Sequence, residues 1–257
     1  MPVFAAGDLR RLGSDLFVAV GAPREEADLV ADHMVESGLL GHDSHGVLRY
    51  PQYVDSVRSG KVIPGAPFEI LSEAPRIAHV SGNWNFGPVT AHRAAQLAVA
   101  KARGGAVAAV TVRRCNHVAR LGRFAAQIAA SGDLVGMLFC NGHGSDHSTA
   151  PFGGAGRRLP TNPLAVAVPT GGDWPILLDM TTSMTSGGAM RLYRNLGEPV
   201  PDGFIVDAEG APTTDVEKYY GGGALLPLGF PGTGHKGFGL AVAVDILAGA
   251  LSGAGCS

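Results

Sequence analysis

Residues 88–140 read PVTAHRAAQLAVAKARGGAVAAVTVRRCNHVARLGRFAAQIAASGDLVGMLFC, and this stretch decides the fold class. Pro88 to Arg103 predicts an Ala-rich helix, opened by proline and stopped by Gly104-Gly105. Ala106 to Val112 and Leu134 to Cys140 are apolar runs of strand length, with a helix expected between them from about Arg120 to Ala130. Helix and strand alternate, as in a mixed α/β protein.

On the N-terminal side, residues 8 to 40 predict two helices. Leu9, Leu12, Leu16 and Phe17 fall at helical spacing, Gly21-Ala22-Pro23 breaks the pattern, and Pro23 with Glu25 and Glu26 opens the second helix, which ends near Gly38 and Gly41. Val47 to Ser59 is a third helix, and a strand pair follows around Phe68 to Leu71 and Arg76 to Val80. On the C-terminal side, residues 141 to 163 form a long loop rich in Gly, His, Ser and Pro. Strands are expected at Leu164 to Val168 and Ile176 to Asp179, loop over 195 to 223, and a last helix from Lys236 to Leu251. The expected division is a helical unit over residues 1–65 and a sheet-bearing unit over residues 66–257.

Of the 257 residues 46% are hydrophobic, enough for a packed core, and only 16% are charged, which excludes a disordered chain. The net charge of −2, without a Lys/Arg-rich run, argues against nucleic acid and anionic membranes as partners. Cys115, Cys140 and Cys256 make neither an even framework nor a CxxC pair, so reduced thiols in a cytoplasm are expected. No apolar signal segment follows the first residues. The run Phe238 to Leu251 contains Asp245 and is too short to span a bilayer.

The densest polar cluster is Gly41-His42-Asp43-Ser44-His45-Gly46-Val47-Leu48-Arg49, at a helix–turn–helix junction. His45 is a natural acid/base near neutral pH, with the Ser44 hydroxyl beside it. Arg49, four residues on, can face the same pocket and hold a carboxylate through two parallel hydrogen bonds. A polar turn with helix caps accounts for the same residues equally well. His117 follows a strand and opens a helix, near Arg120 and Arg123; it serves either proton transfer or packing alone. His143 and His147 have the spacing of a metal pair, but no third ligand matches, and no metal is expected. Asp179, at the end of a strand, is either a ligand contact or an N-cap for the following helix. Lys236, glycine-flanked at a helix start, suits a phosphate. Neither GxGxxG after a strand nor GxxxxGK[ST] occurs, which leaves Rossmann and P-loop sites unsupported.

Eight short blocks in order complete the reading. They are Ser44-His45-Gly46-Val47-x-Arg49, Asn116-His117-x-x-Arg120-Leu121-Gly122, Ala150-Pro151-Phe152-Gly153-Gly154 and Thr161-Asn162-Pro163, then Leu178-Asp179-Met180-Thr181-Thr182-Ser183, Pro212-Thr213-Thr214-Asp215, Leu226-Pro227-Leu228-Gly229 and Lys236-Gly237-Phe238-Gly239-Leu240. In these blocks, from about residue 8 to 254, the chain resembles the malate/L-lactate dehydrogenase family of the sulfolactate-dehydrogenase-like type. The resemblance implies an α/β (α+β) fold with a non-Rossmann, largely antiparallel sheet flanked by helices, and a homodimer. It implies hydride transfer between NAD or NADP and a small 2-oxo or 2-hydroxy acid, or reduction of an imine or ureido acid. It assigns the proton donor to Ser44 and His45, or in some members to His117, and the substrate carboxylate to Arg49 and Thr161. It places the cofactor against His117, Arg120, Leu121, Gly142, Asp179, Met180, Thr181, Lys236 and Gly237. Family members usually continue beyond the last helix, so a C-terminally shortened chain is expected, with an inactive, dimerising or ligand-binding remnant as the rival reading. Pro160, Ala189 and Ala119 depart from the family pattern.

Overall fold

The computed structural model describes residues 3–142 and 147–257. Eight α-helices and nine strands follow one another among them: α1 (Ala6–Ala19), α2 (Arg24–Leu39), α3 (Tyr50–Arg58), β1 (Glu69–Ala74), β2 (Ile77–Ser81), α4 (Gly87–Ala102), β3 (Ala109–Arg113), α5 (Gly122–Ala129), β4 (Gly136–Phe139), β5 (Leu164–Val168), β6 (Ile176–Met180), α6 (Gly187–Leu196), β7 (Ile205–Val206), β8 (Pro212–Thr213), α7 (Val216–Tyr220), β9 (Ala224–Leu225) and α8 (Gly234–Asp245). They give a mixed α/β protein with three three-stranded sheets, of order β1-β2-β3, β4-β5-β6 and β8-β7-β9. Pairing is antiparallel for β1–β2, β7–β8 and β7–β9, whereas β2 pairs β3 in parallel. The parallel pair follows from connectivity, because the 16-residue helix α4 crosses over between β2 and β3.

The chain divides into two compact units, Met1–Gly136 with Ala167–Leu177, and Met137–Val166 with Leu178–Ser257. In unit 1 the helices of residues 1–65 fold together with the first sheet, α4 and α5. The core gathers Phe17, Met34, Tyr50, Tyr53, Phe86 and Val89. Phe17 meets Tyr50 edge-on at 5.5 Å, and Tyr53 stacks on Phe86 at 6.1 Å with an interplanar angle of 10°. Gly13 makes room for this cluster: a Cβ there would lie 2.4 Å from the Tyr50 ring. Of the four apolar residues read as the α1 stripe, Phe17 is fully buried, while Leu12 and Leu16 are exposed. The packing of Tyr50 selects the Gly13–Phe17 side of the helix.

The core of unit 2 includes Met190, Val200, Ile205, Tyr219 and Leu225. Here the structure corrects the sequence reading. The segment expected as loop, 195 to 223, contains β7, β8 and α7. Helix α6 was not anticipated, since Gly187-Gly188 at its start are poor helix formers. It is set by its ends: Ser186 Oγ accepts from Ala189 N at 3.1 Å, and Gly197 closes it at φ +68°. Two further boundaries move. Strand β3 begins at Ala109, where pairing with Ile77 starts, and the last helix begins at Gly234 and passes into a π turn, Ile246–Ala250.

Candidate active site

The Ser44–Arg49 cluster sits in unit 1 on two 3₁₀ turns, Asp43–His45 and Val47–Arg49, between α2 and α3. Gly46 permits the sharp passage: its Cβ position lies 3.3 Å from Asp43 O and 3.4 Å from Gly38 N and Met34 O. Ser44 Oγ lies 2.9 Å from His45 Nδ1, so one ring nitrogen is held and Nε2 is directed elsewhere. Arg49 is 8% exposed; its Nε donates to Ser44 O at 2.7 Å and its Nη1 to Gln52 Oε1 at 2.5 Å. The buried guanidinium thus grips the turn that carries the serine–histidine pair.

His117 is brought to this group from 72 residues away in sequence. Its ring stacks on that of His45, with centroids 5.7 Å apart and planes 14° from parallel. Three carbonyls fix the turn leading to it, since Asn116 Nδ2 donates to Lys61 O, Trp84 O and Asn85 O at 3.1, 2.7 and 3.0 Å. Tyr53, which the sequence reading overlooked, holds the ring itself. Its hydroxyl donates to His117 O at 2.7 Å and lies 2.9 Å from His117 Nδ1. In the sequence Tyr53 is one residue of the expected helix Val47 to Ser59, and no local pattern reveals a partner 64 residues away. Ala119 has φ +59°, a left-handed conformation in which glycine is free of strain.

Burial lowers the pKa of His45 to about 4, assisted by the positive charge of Arg49, then by His42 and Arg120. Burial likewise raises the Tyr53 phenol, which stays protonated. Arg120 is 4% exposed and pairs with Glu36 at 2.9 Å, and Glu36 also binds Arg123. Leu121 is buried at the start of α5.

The remaining anticipated residues belong to unit 2. Thr161 O accepts from Thr182 N at 3.0 Å and Thr182 Oγ1 at 2.9 Å, which ties Thr161 to the turn after Asp179, Met180 and Thr181. Leu228 N donates in turn to Thr182 O at 3.0 Å, and Gly237 packs on Leu228, where a Cβ would fall 2.3 Å from Leu228 O. Thr161, Thr181 and Gly237 are therefore joined through Thr182 and Leu228. Lys236 is exposed in the first turn of α8. Asp179 is half-buried at the end of β6. It is not an N-cap, because the next helix begins at Gly187 and is capped by Ser186. Gly142 O accepts from Ser257 Oγ at 3.2 Å. Among the described residues no three His, Cys, Asp or Glu side chains form a metal-holding group, and His143 lies outside those residues. Nor is any helix among them long and apolar enough to cross a membrane.

Residues 4–257 match the malate/L-lactate dehydrogenase family, and the chain belongs to it. It is 42% identical over 237 residues to a malate dehydrogenase of Pyrococcus abyssi, covering 91% of this chain and 64% of that protein. It is 37% identical over 240 residues to an L-sulfolactate dehydrogenase of Methanothermobacter thermautotrophicus, covering 93% and 67%. Among solved structures, a delta1-piperideine-2-carboxylate reductase from Pseudomonas syringae superposes with a TM-score of 0.88 at 31% identity, covering 98% of this chain and 74% of that one. The chain thus spans about two thirds of the length of these curated relatives.

Proposed function

We propose that this protein is a nicotinamide-dependent oxidoreductase that interconverts a small 2-oxo acid and its 2-hydroxy acid, on a non-Rossmann fold. The observation that carries the proposal is the Ser44–His45–Arg49 group with the His117 ring stacked on it. It puts an imidazole held at one nitrogen beside a buried cation that suits a carboxylate. Malate, L-sulfolactate and delta1-piperideine-2-carboxylate, for which the relatives are named, each carry a carboxylate beside the carbon that is oxidised or reduced.

The donor chemistry of unit 2 fits a dinucleotide. Lys236 is an exposed cation in the first turn of a 12-residue helix, whose N-terminus favours phosphate oxygens. A Cβ at Gly232 or at Gly239 would meet nothing within 4 Å, which leaves space for close approach. On this reading Gly142, Asp179, Met180, Thr181, Lys236 and Gly237 would hold the cofactor, NAD or NADP, in unit 2, and His117, Arg120 and Leu121 are the cofactor contacts that the family resemblance assigns in unit 1. Bound reduced nicotinamide supplies the hydride.

The chain's own residues do the rest. In unit 1 Arg49 binds the substrate carboxylate and orients the 2-carbon; Thr161 is the carboxylate contact that the family resemblance assigns in unit 2. In the free protein His45 is neutral at pH 7, partly because Arg49 repels a second positive charge. A carboxylate on Arg49 offsets that repulsion and so favours a proton on His45 as the acid binds. Ser44 keeps Nδ1 engaged, and Nε2 delivers the proton to the carbonyl oxygen as negative charge develops there. A second reading gives the proton to His117, favoured by the Tyr53 hydroxyl at its Nδ1. Single His45→Ala and His117→Ala variants distinguish the two: the donor's variant loses kcat, whereas loss of a lining residue mainly raises KM for the cofactor. The protein acts as a homodimer in the cytoplasm on this reading. Exposed Trp174 and Ile176 support the dimer, and sedimentation equilibrium tests it.

A further inference from the structure

Asp245, in the last turn of α8, has no part in the chemistry above, yet its carboxylate is buried at 6% exposure. A buried charge persists only where donors surround it. Here Oδ1 receives Asn141 Nδ2 at 3.3 Å, Asn162 Nδ2 at 3.4 Å and Ser257 Oγ at 2.8 Å, while Oδ2 receives Ser257 N at 3.0 Å. Asn162 is fully buried, and its amide also donates to Ala241 O at 3.0 Å on the same helix. Both neighbours are acceptors, which fixes the orientation of that amide. Asn162 adopts φ +38°, in the left-handed region that asparagine tolerates better than other side chains. Gly249 clears the path for Asn141, because a Cβ there would stand 2.6 Å from Asn141 Nδ2.

The two amides are the sequence neighbours of two residues given to the ligands. Asn141 precedes Gly142 and Asn162 follows Thr161, while α8 itself begins with the Lys236 turn. We propose that Asp245 is a positioning residue that clamps the Gly142 and Thr161 turns to helix α8 and so holds the dinucleotide and carboxylate contacts of unit 2 in register. The proposal rests on the reading that unit 2 binds a nicotinamide dinucleotide. Asp245→Asn keeps the shape but turns a donor toward donors, and Asn141→Ala removes one arm of the clamp.

The test pairs hydrogen–deuterium exchange of the free chain with fluorescence titration of NADH and NADPH. In Asp245→Asn, exchange of peptides covering 139–142 and 160–164 rises at least tenfold, while β2 and β3 stay protected. The Kd for the reduced dinucleotide also rises at least tenfold. In Asn141→Ala, the exchange rise is confined to the first peptide; this arm decides the clamp if Asp245→Asn fails to fold. Unchanged exchange at both turns overturns the proposal. So does faster exchange with an unchanged Kd, which leaves Asp245 a purely structural residue. If the unsubstituted chain binds neither dinucleotide, the functional reading fails, and the ligand-positioning half of the proposal falls with it; the exchange data still decide the clamp.

Discussion

The rings of His45 and His117 lie 5.7 Å apart and 14° from parallel, although 72 residues separate them in the chain. Each is held at Nδ1 by a hydroxyl, from Ser44 and from Tyr53 respectively. The pair is oriented from two sides, and its supports can be removed one at a time.

Removal of the Tyr53 hydroxyl is the mildest such test. Tyr53→Phe keeps the stack on Phe86 but leaves His117 O and Nδ1 without that partner. The expected cost is about 1–3 kcal/mol of stability. A fall in kcat of about tenfold or more is also expected, measured alongside the thermal midpoint. Activity at the unsubstituted level would show that His117 needs no such support.

Arg49→Lys separates charge from geometry. A lysine keeps the positive charge but cannot bond Ser44 O and Gln52 together while presenting a flat fork to a carboxylate. KM for the 2-oxo acid should rise more than tenfold, a binding loss of about 1.4 kcal/mol or more. An unchanged KM would remove Arg49 from the substrate site.

Stability should fall as pH drops below the normal histidine range. Burial, with the charges of Arg123 and Arg120, lowers His33 to about 3, and burial with Arg49 lowers His45 to about 4. Between an unfolded value near 6.5 and these folded values, the unfolded chain binds protons that the folded chain does not. Each group therefore contributes stability that is present above about pH 6.5 and is lost progressively toward pH 4, at up to about 1.4 kcal/mol per pH unit. The urea midpoint at pH 5 should lie below that at pH 7, and His33→Gln should flatten the slope. A midpoint that stays level over this window would contradict the burial of these rings as neutral groups.

Gly237→Ala tests the packing that seats the start of α8. The added Cβ would fall 2.3 Å from Leu228 O and 2.6 Å from Leu228 N, and neither backbone atom can give way alone. Weaker dinucleotide binding together with a lower thermal midpoint is expected. Gly104→Ala, where a Cβ meets nothing within 4 Å and which lies outside the proposed site, serves as the control.

Much of this organisation was legible in the sequence, for local reasons. The α1–α2 hairpin and β5 follow from breakers and apolar runs, and Ser44, His45 and Arg49 sit within six residues of one another, where spacing alone suggests convergence. Partnerships across long separations were not legible: Tyr53 with His117, and Asp245 with Asn162 across 83 residues. Helix α6 was hidden because its stability comes from Ser186, Gly197 and the burial of Met190 rather than from residue propensity. The two-residue strands β7, β8 and β9 are too short to carry a period. Arg120 with Glu36, across 84 residues, is another partnership across a long separation.

The central claim is tested most directly by following the absorbance of NADH and NADPH with the purified chain, oxaloacetate, pyruvate and a wider panel of 2-oxo acids, beside His45→Ala. The account predicts oxidation of at least one reduced cofactor with at least one 2-oxo acid, and a loss of about 10²–10⁴-fold in kcat in the variant. Turnover that survives intact in His45→Ala would contradict the assignment of the proton. No turnover with any pair, from a folded chain, would contradict the proposed activity.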